Sequence, residues 1–161
     1  MKSFTKIQIS SKKINNPNKN DLIEKVEESS ETEIKDPVSL FFSKLFESRE
    51  MAHVYHLQVS GDEGSYAAHV ALNSYYDDVI EFIDTMVEIY QGQYDIVDNY
   101  QIIDTNISKS KDRIDYFKDL VKFINDNRYV SISKDDTHLQ NMIDEIVSLI
   151  YRLLYKLRFN K

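Results

Sequence analysis

Three of the four histidines, His53, His56 and His69, fall in a stretch between Arg49 and Lys109 that holds no Lys or Arg. The same stretch holds the carboxylates Glu50, Asp62, Glu63, Asp77, Asp78, Glu81, Asp84, Glu88, Asp95, Asp98 and Asp104. On composition alone it reads as a solvated acidic face with ordinary core histidines; spacing adds a second reading. His69 and Asn73 are four residues apart, as are Asp84 and Glu88, and fifteen residues separate His69 from Asp84. At 3.6 residues per turn all four lie within an arc of about 100° on one helix face. Along the axis, however, His69 and Asp84 are roughly 22 Å apart, far beyond the ~2 Å bonds of a single metal centre. One chain cannot close such a site. A two-fold axis setting two copies of the helix antiparallel would bring His69 of one beside Asp84 and Glu88 of the other, making two equivalent sites. Two imidazoles and two carboxylates suit Fe(II) better than Ca or Mg.

The elements that must position these groups are helices. A first helix is expected from Asp36-Pro37 to about Val59, since Asp is a good N-cap and Pro is tolerated at the first helical position. Its stripe takes in Val38, Phe41, Phe42, Leu45 and Ala52, with His53 and His56 on the same seam. Residues 60–64, Ser-Gly-Asp-Glu-Gly, read as a turn. A second helix is expected from about Ser65 to Tyr90, with Gly92 near its end. His56 and His69 then flank the turn by about one helical turn each and stand at similar height. Residues 93–108 read as an irregular or briefly helical connection, long enough to cross from one end of a bundle to the other. Helices at about Lys109–Asn127 and Asp135–Leu157 complete an all-α, ferritin-like four-helix bundle with a long crossover between helices 2 and 3. The recurring Phe41, Phe42, Phe46, Phe82, Phe117 and Phe123 read as core. His53 reads as a core histidine with a satisfied partner, with a ligand role as the alternative, and His138 as a surface or capping residue.

Composition narrows the classes further. Among 161 residues there are only 3 Gly and 2 Pro, too few to punctuate a β-sandwich or barrel. The absence of cysteine excludes disulfides, thiolate metal sites and a cysteine nucleophile, and makes a reducing cytoplasm the expected compartment. No apolar run approaches the roughly 18–20 residues that span a bilayer, so no membrane partner is expected. The net charge of −7 is unevenly spread. Residues 1–20 hold Lys2, Lys6, Lys12, Lys13 and Lys19 and no acid, whereas residues 21–36 hold seven acids and two Lys. Residues 1–36 are therefore expected to be a flexible charged tail, and residues 37–161 the bundle.

Taken with these motifs, the sequence resembles the Dps family, the ferritin-like DNA-binding proteins from starved cells, and their mini-ferritin relatives. "HVYHLQVSG" is similar to the family's H-x-x-H-W-x-V-x-G, and "AAHVALNSYYDDVIEFIDTMVEIY" to its H-x-x-x-D … D-x-x-x-E helix. "THLQNMIDEIVSLIYRLLYKLRF" resembles its last helix, so the likeness spans about residues 37–158. It implies His56 and His69 as imidazole ligands, and Asp84 and Glu88 as carboxylates supplied across a dimer interface. Three departures stand out. Leu57 replaces the family's Trp, which removes that side chain as a radical quencher and leaves Tyr55, Tyr75 or Tyr76 as replacements. Asn73 stands where a carboxylate is expected, with Asp77 one turn on as a partial substitute, which leaves one or two irons per site open. The loop between His56 and His69 is one residue longer than usual.

The function the resemblance implies is an Fe(II)-binding and -oxidising mini-ferritin: a ferroxidase using peroxide or oxygen, storing iron in a dodecameric shell and protecting against peroxide. The five tail lysines add DNA as an expected partner through counterion release, which the acidic segment beside them opposes. The alternative is a non-catalytic ferritin-like bundle with a structural or interaction role, phage-encoded or a virion component, and Asn73 favours it.

Overall fold

Asp36, Ser65 and Asp112 each turn a side-chain oxygen onto the first free amides of a helix, which sets where three of the four helices begin in the computed structural model. The structure describes residues 36–59, 65–101 and 112–160. Helix α1 is Pro37–Gln58, where the Asp36 carboxylate accepts from the amides of Val38 at 3.3 Å and Ser39 at 3.0 Å. Pro37 sits where a missing amide hydrogen costs nothing. Helix α2 is Tyr66–Gln93, capped by Ser65 Oγ, which accepts from Ala68 N at 3.1 Å. Helix α3 is Arg113–Ser131, capped by Asp112 on Ile114 N at 2.6 Å, and helix α4 is Thr137–Phe159. The described residues contain these four helices and no strand.

Three boundaries differ from the sequence expectation. Helix α3 begins and ends later than Lys109–Asn127, because Asp112 supplies the cap and Ser131 is held at the far end, its Oγ donating to the Pro37 carbonyl at 2.9 Å. Helix α4 is likewise shifted from Asp135–Leu157 to Thr137–Phe159. Helix α2 runs past Tyr90 and through Gly92, which lies inside the helix, not after it; the next amide to close the ladder is Tyr94 N–H on Tyr90 O at 2.9 Å. The turn expected at 60–64, the charged tail at 1–35 and the part of the connection at 102–111 lie outside the described residues.

The helices form a closed ring in which α1 packs on α2 and α3, and α4 packs on the same two. Side-chain contacts set the directions. Phe42 meets Tyr90, and His56 meets His69, so α1 and α2 are antiparallel. Phe41 meets Phe123 while Tyr55 meets Tyr116, so α1 and α3 are antiparallel. Ser65 Oγ donates to Asn160 O, and Gln93 Nε2 to Asp136 at the opposite end of α4, so α2 and α4 are antiparallel. Arg128 near the end of α3 bonds Gln140 and Asp144 near the start of α4, which makes the last pair antiparallel too. The end of α2 and the beginning of α3 therefore lie at opposite ends of the ring.

The core is what the apolar stripes bury: Phe41, Phe42 and Leu45 from α1, Leu72, Ile83 and Met86 from α2, Phe117, Leu120 and Ile124 from α3, and Leu139, Ile143 and Ile146 from α4. Phe46, Phe82 and Phe123 are half-buried and pack on its rim. No helix among the described residues is long and apolar enough to cross a membrane.

Candidate functional site: an imidazole and tyrosine cluster beside an acidic cleft

The last turns of α1 and the first turns of α2 meet at one end of the ring, and three histidines meet with them. His56 is buried, and its Nδ1 lies 3.0 Å from the carbonyl oxygen of His69. A carbonyl only accepts, so the neutral ring carries its proton on Nδ1 and keeps a lone pair on Nε2. The two rings stack with centroids 3.7 Å apart and planes 28° from parallel. Tyr76 stands edge-on to His56 at 5.5 Å and lies against His53 at 4.7 Å. His53 is half-buried, 6.3 Å from His56, so its partner is an aromatic face.

Tyr76 ties this cluster to the position where a carboxylate was expected. Its hydroxyl donates to Asn73 Oδ1 at 2.8 Å, and Asn73 Nδ2 donates to Asp77 Oδ2 at 2.6 Å. Asn73 is thus engaged on both sides of its amide, and Asp77 spends one oxygen on it. Sequence reasoning named these residues singly but missed the chain they form. The signal was the spacing 73, 76, 77, which sets the three on one face of α2.

Asp84 and Glu88 are exposed on α2, about 22 Å and about 28 Å along the helix axis from His69. Asp84 borders a cleft of about 520 Å³ between α1 and α2, shared with Phe46, Arg49, Glu50, Val87 and Tyr100. One rim is the segment after α2, which is pinned down: Val97 N donates to Gln91 Oε1 at 3.0 Å and Gln101 N to Ser43 Oγ at 2.8 Å. Asn99 in this segment takes a left-handed backbone conformation with φ of 56°, which a short polar side chain tolerates. Arg49 pairs with Glu50, and its guanidinium lies 5.8 Å from the Tyr76 ring centroid, linking cleft to cluster.

The structure thus brings His53, His56, His69, Asn73 and Asp77 to one end of α1 and α2 and leaves Asp84 and Glu88 remote. Within one chain, the described residues contain no group of three or more His, Asp or Glu that could hold a metal ion. Of the three tyrosines weighed as Trp replacements, Tyr76 touches the histidines. Tyr75 is buried against Ser48 at 2.9 Å, and burial pushes its hydroxyl well above the ordinary tyrosine value. Tyr55 packs on Tyr116 and Phe117. His138 is exposed in the first turn of α4. Lys2, Lys6, Lys12, Lys13 and Lys19 lie outside the described residues.

Asp136 was not singled out by its sequence context. It precedes α4 without capping it, because its buried carboxylate accepts instead from Gln93 Nε2 at 2.7 Å and from the Tyr94 hydroxyl. The Tyr94 bond, followed by that from Gln93, holds its carboxyl below the usual aspartate range.

Fold and site together define a four-helix protein whose first two helices carry an imidazole and tyrosine cluster at one end and free carboxylates along α2. The model of a family of unknown function (DUF5856) matches residues 56–157, and the chain belongs to that family. The match begins at His56 and includes His69, Asn73, Asp77, Asp84 and Glu88. Neither a curated protein nor a solved structure was found to match the chain.

Proposed function

We propose that this protein is a mini-ferritin of the Dps type, a ferritin-like bundle that takes Fe(II) as substrate at sites shared between two subunits, oxidises it and stores the product in a homo-oligomeric shell. The observation that carries this reading is the His56–His69 pair, in which Nδ1 of His56 is anchored on a backbone carbonyl and Nε2 is left with its lone pair. The opposite placement of the end of α2 and the start of α3 supports a ferritin-like crossover between them.

In this reading His56 and His69 of one subunit supply nitrogen donors, and Asp84 and Glu88 of a two-fold partner neutralise the cation. Oxidation passes electrons from Fe(II) to peroxide or oxygen. Stacked rings hold their lone pairs in near-parallel planes, so binding one ion requires the half-buried His69 side chain to swing away from His56. The engaged Asn73 amide and the weak donor character of a neutral side chain favour one iron per site over two. His53 is a neighbour of the imidazoles, and Tyr76, in contact with two of them, is the tyrosine placed to quench a radical. The carboxylates of α2 draw cations toward the site by their summed field. Tail lysines Lys2, Lys6, Lys12, Lys13 and Lys19 bind DNA phosphates in the same reading, a contact that deletion of residues 1–20 abolishes at low salt.

Anaerobic Fe(II) titration of the full chain, followed by admission of peroxide, is the test. Binding that is lost in His69→Ala together with Asp84→Ala, in a particle the size of a dodecamer, supports the proposal. No Fe(II) binding, or oxidation unchanged in the double variant, overturns it.

A second reading is a non-catalytic bundle that keeps the scaffold for assembly, in the cytoplasm or in a virion. The closed chain Tyr76–Asn73–Asp77 favours it, since those groups are satisfied without a metal. An iron-free monomer, dimer or assembly with other proteins supports this reading.

A further inference from the structure

The last two and a half turns of α4 carry Tyr151, Arg152, Tyr155, Lys156, Arg158 and Phe159 and no acid. Tyr151, Tyr155 and Phe159 are 56 %, 61 % and 60 % exposed, an unusual state for three rings spaced one helical turn apart. Four-residue spacing sets them on one face at height steps of about 6 Å. The Tyr155 and Phe159 rings lie 5.4 Å apart, and the Arg158 guanidinium sits 4.9 Å from the Phe159 centroid. Alongside, a groove of about 380 Å³ between α3 and α4 is lined by Lys118, Lys122, Asn125, Asp126 and Tyr151, over an apolar floor of Val121 and Leu154. Lys118 pairs with Asp115 and Lys122 with Asp126 at the surface, with Asp119 also near Lys122; such surface contacts are weak enough to exchange for another anion. Helix α2, by contrast, has no Lys or Arg; its Asp78 shares a small pocket with Arg152 and Lys156, so it is the outer side of α4, with Arg158 and the rings, that a polyanion can approach.

We propose that this face binds single-stranded nucleic acid, with bases stacked on Tyr151, Tyr155 and Phe159 and phosphates held by Arg152, Lys156 and Arg158. A flat ring accepts the face of any base, so the contact carries little sequence preference. The exposed apolar groups here are all aromatic, with none of the bulky aliphatic side chains that insertion into a lipid surface uses. Each phosphate neutralised on a single strand contributes about −0.7 to the slope of log K against log salt, so three contacts give a slope of about −2. This surface lies at the end of the ring where α2 begins, the end that also carries the histidine cluster, but its residues all belong to α4 and none is among those proposed to take iron.

The test is fluorescence anisotropy of the full chain with a labelled oligothymidylate of about 20 nucleotides, together with ultraviolet cross-linking and peptide mapping. Expected are a salt slope at least as steep as about −2, to which any tail contacts add, cross-links at Tyr151, Tyr155 or Phe159, and a loss of affinity of about tenfold or more in the Tyr151→Ala, Tyr155→Ala double variant, whose charge and tail are unchanged. Arg152→Gln with Arg158→Gln should flatten the salt dependence. Unchanged affinity in the double alanine variant, with its helical circular dichroism intact, overturns the proposal, as do cross-links confined to residues 1–20. Equal, variant-sensitive binding to a poly-glutamate peptide or to anionic vesicles also overturns it, by making the face a general anion or lipid surface.

Discussion

Asp136 holds the end of α2 to the start of α4, and its ionised form is the one that does the holding. A carboxyl whose value is lowered in the folded chain stabilises fully above its unfolded value, and the stabilisation is lost as pH falls through the folded value. Asp136→Asn should therefore lower the melting temperature at neutral pH, and the gap from the parent should shrink once the pH drops below the aspartate range. A thermal melt series from pH 7 to pH 3 reads this directly. Tyr75 makes a second, milder case. Ser48 Oγ donates to Leu45 O at 2.6 Å, so the Tyr75 hydroxyl must be the donor between them. Tyr75→Phe leaves Ser48 bonded and should cost about 0.5–1.5 kcal/mol in denaturant unfolding. Residue-level contacts were legible where the chain is local. His56 beside His69 follows from counting turns on either side of a short connection. The bonds from Gln93 and Tyr94 to Asp136 span more than forty residues, and no local pattern announces them.

At the level of elements, side-chain chemistry at the helix starts was the legible part. Asp36-Pro37 and Ser65 mark their helices because a short oxygen-bearing side chain can satisfy amides that the helix leaves free. Asp112 does the same for α3, and Asp112→Ala should cost about 1 kcal/mol. Helix ends were less legible, since they depend on what the last turn packs against, as Ser131 does on Pro37. Gly92 was read as lying near the end of its helix, and it does, in the last turn just before Gln93. A Cβ added there meets nothing within 4 Å. Gly92→Ala should thus stabilise the chain by roughly 0.5–1 kcal/mol, observable as a raised denaturant midpoint, because alanine loses less backbone freedom on folding. Phe41, wholly buried between α1 and α3, behaves oppositely: Phe41→Ala should cost about 3–5 kcal/mol.

Across the whole molecule the apolar pattern was enough to expect four helices, but which helix touches which is a property of the ring and of long-range contacts. The ring divides charge unequally. Residues 36–59 and 65–101 carry ten carboxylates and the two cations Lys44 and Arg49, whereas residues 112–160 carry eight of each sign. Screening should relieve the repulsion along α2, so the melting temperature should rise modestly as sodium chloride is raised from low to near-physiological concentration. Because every neighbouring pair is antiparallel, two helices of 22 and 23 residues point one way and two of 28 and 19 point the other. Their peptide macrodipoles nearly cancel, so neither end of the ring gains net polarity from the backbone. The pull this protein exerts on a distant cation therefore comes from ionised side chains.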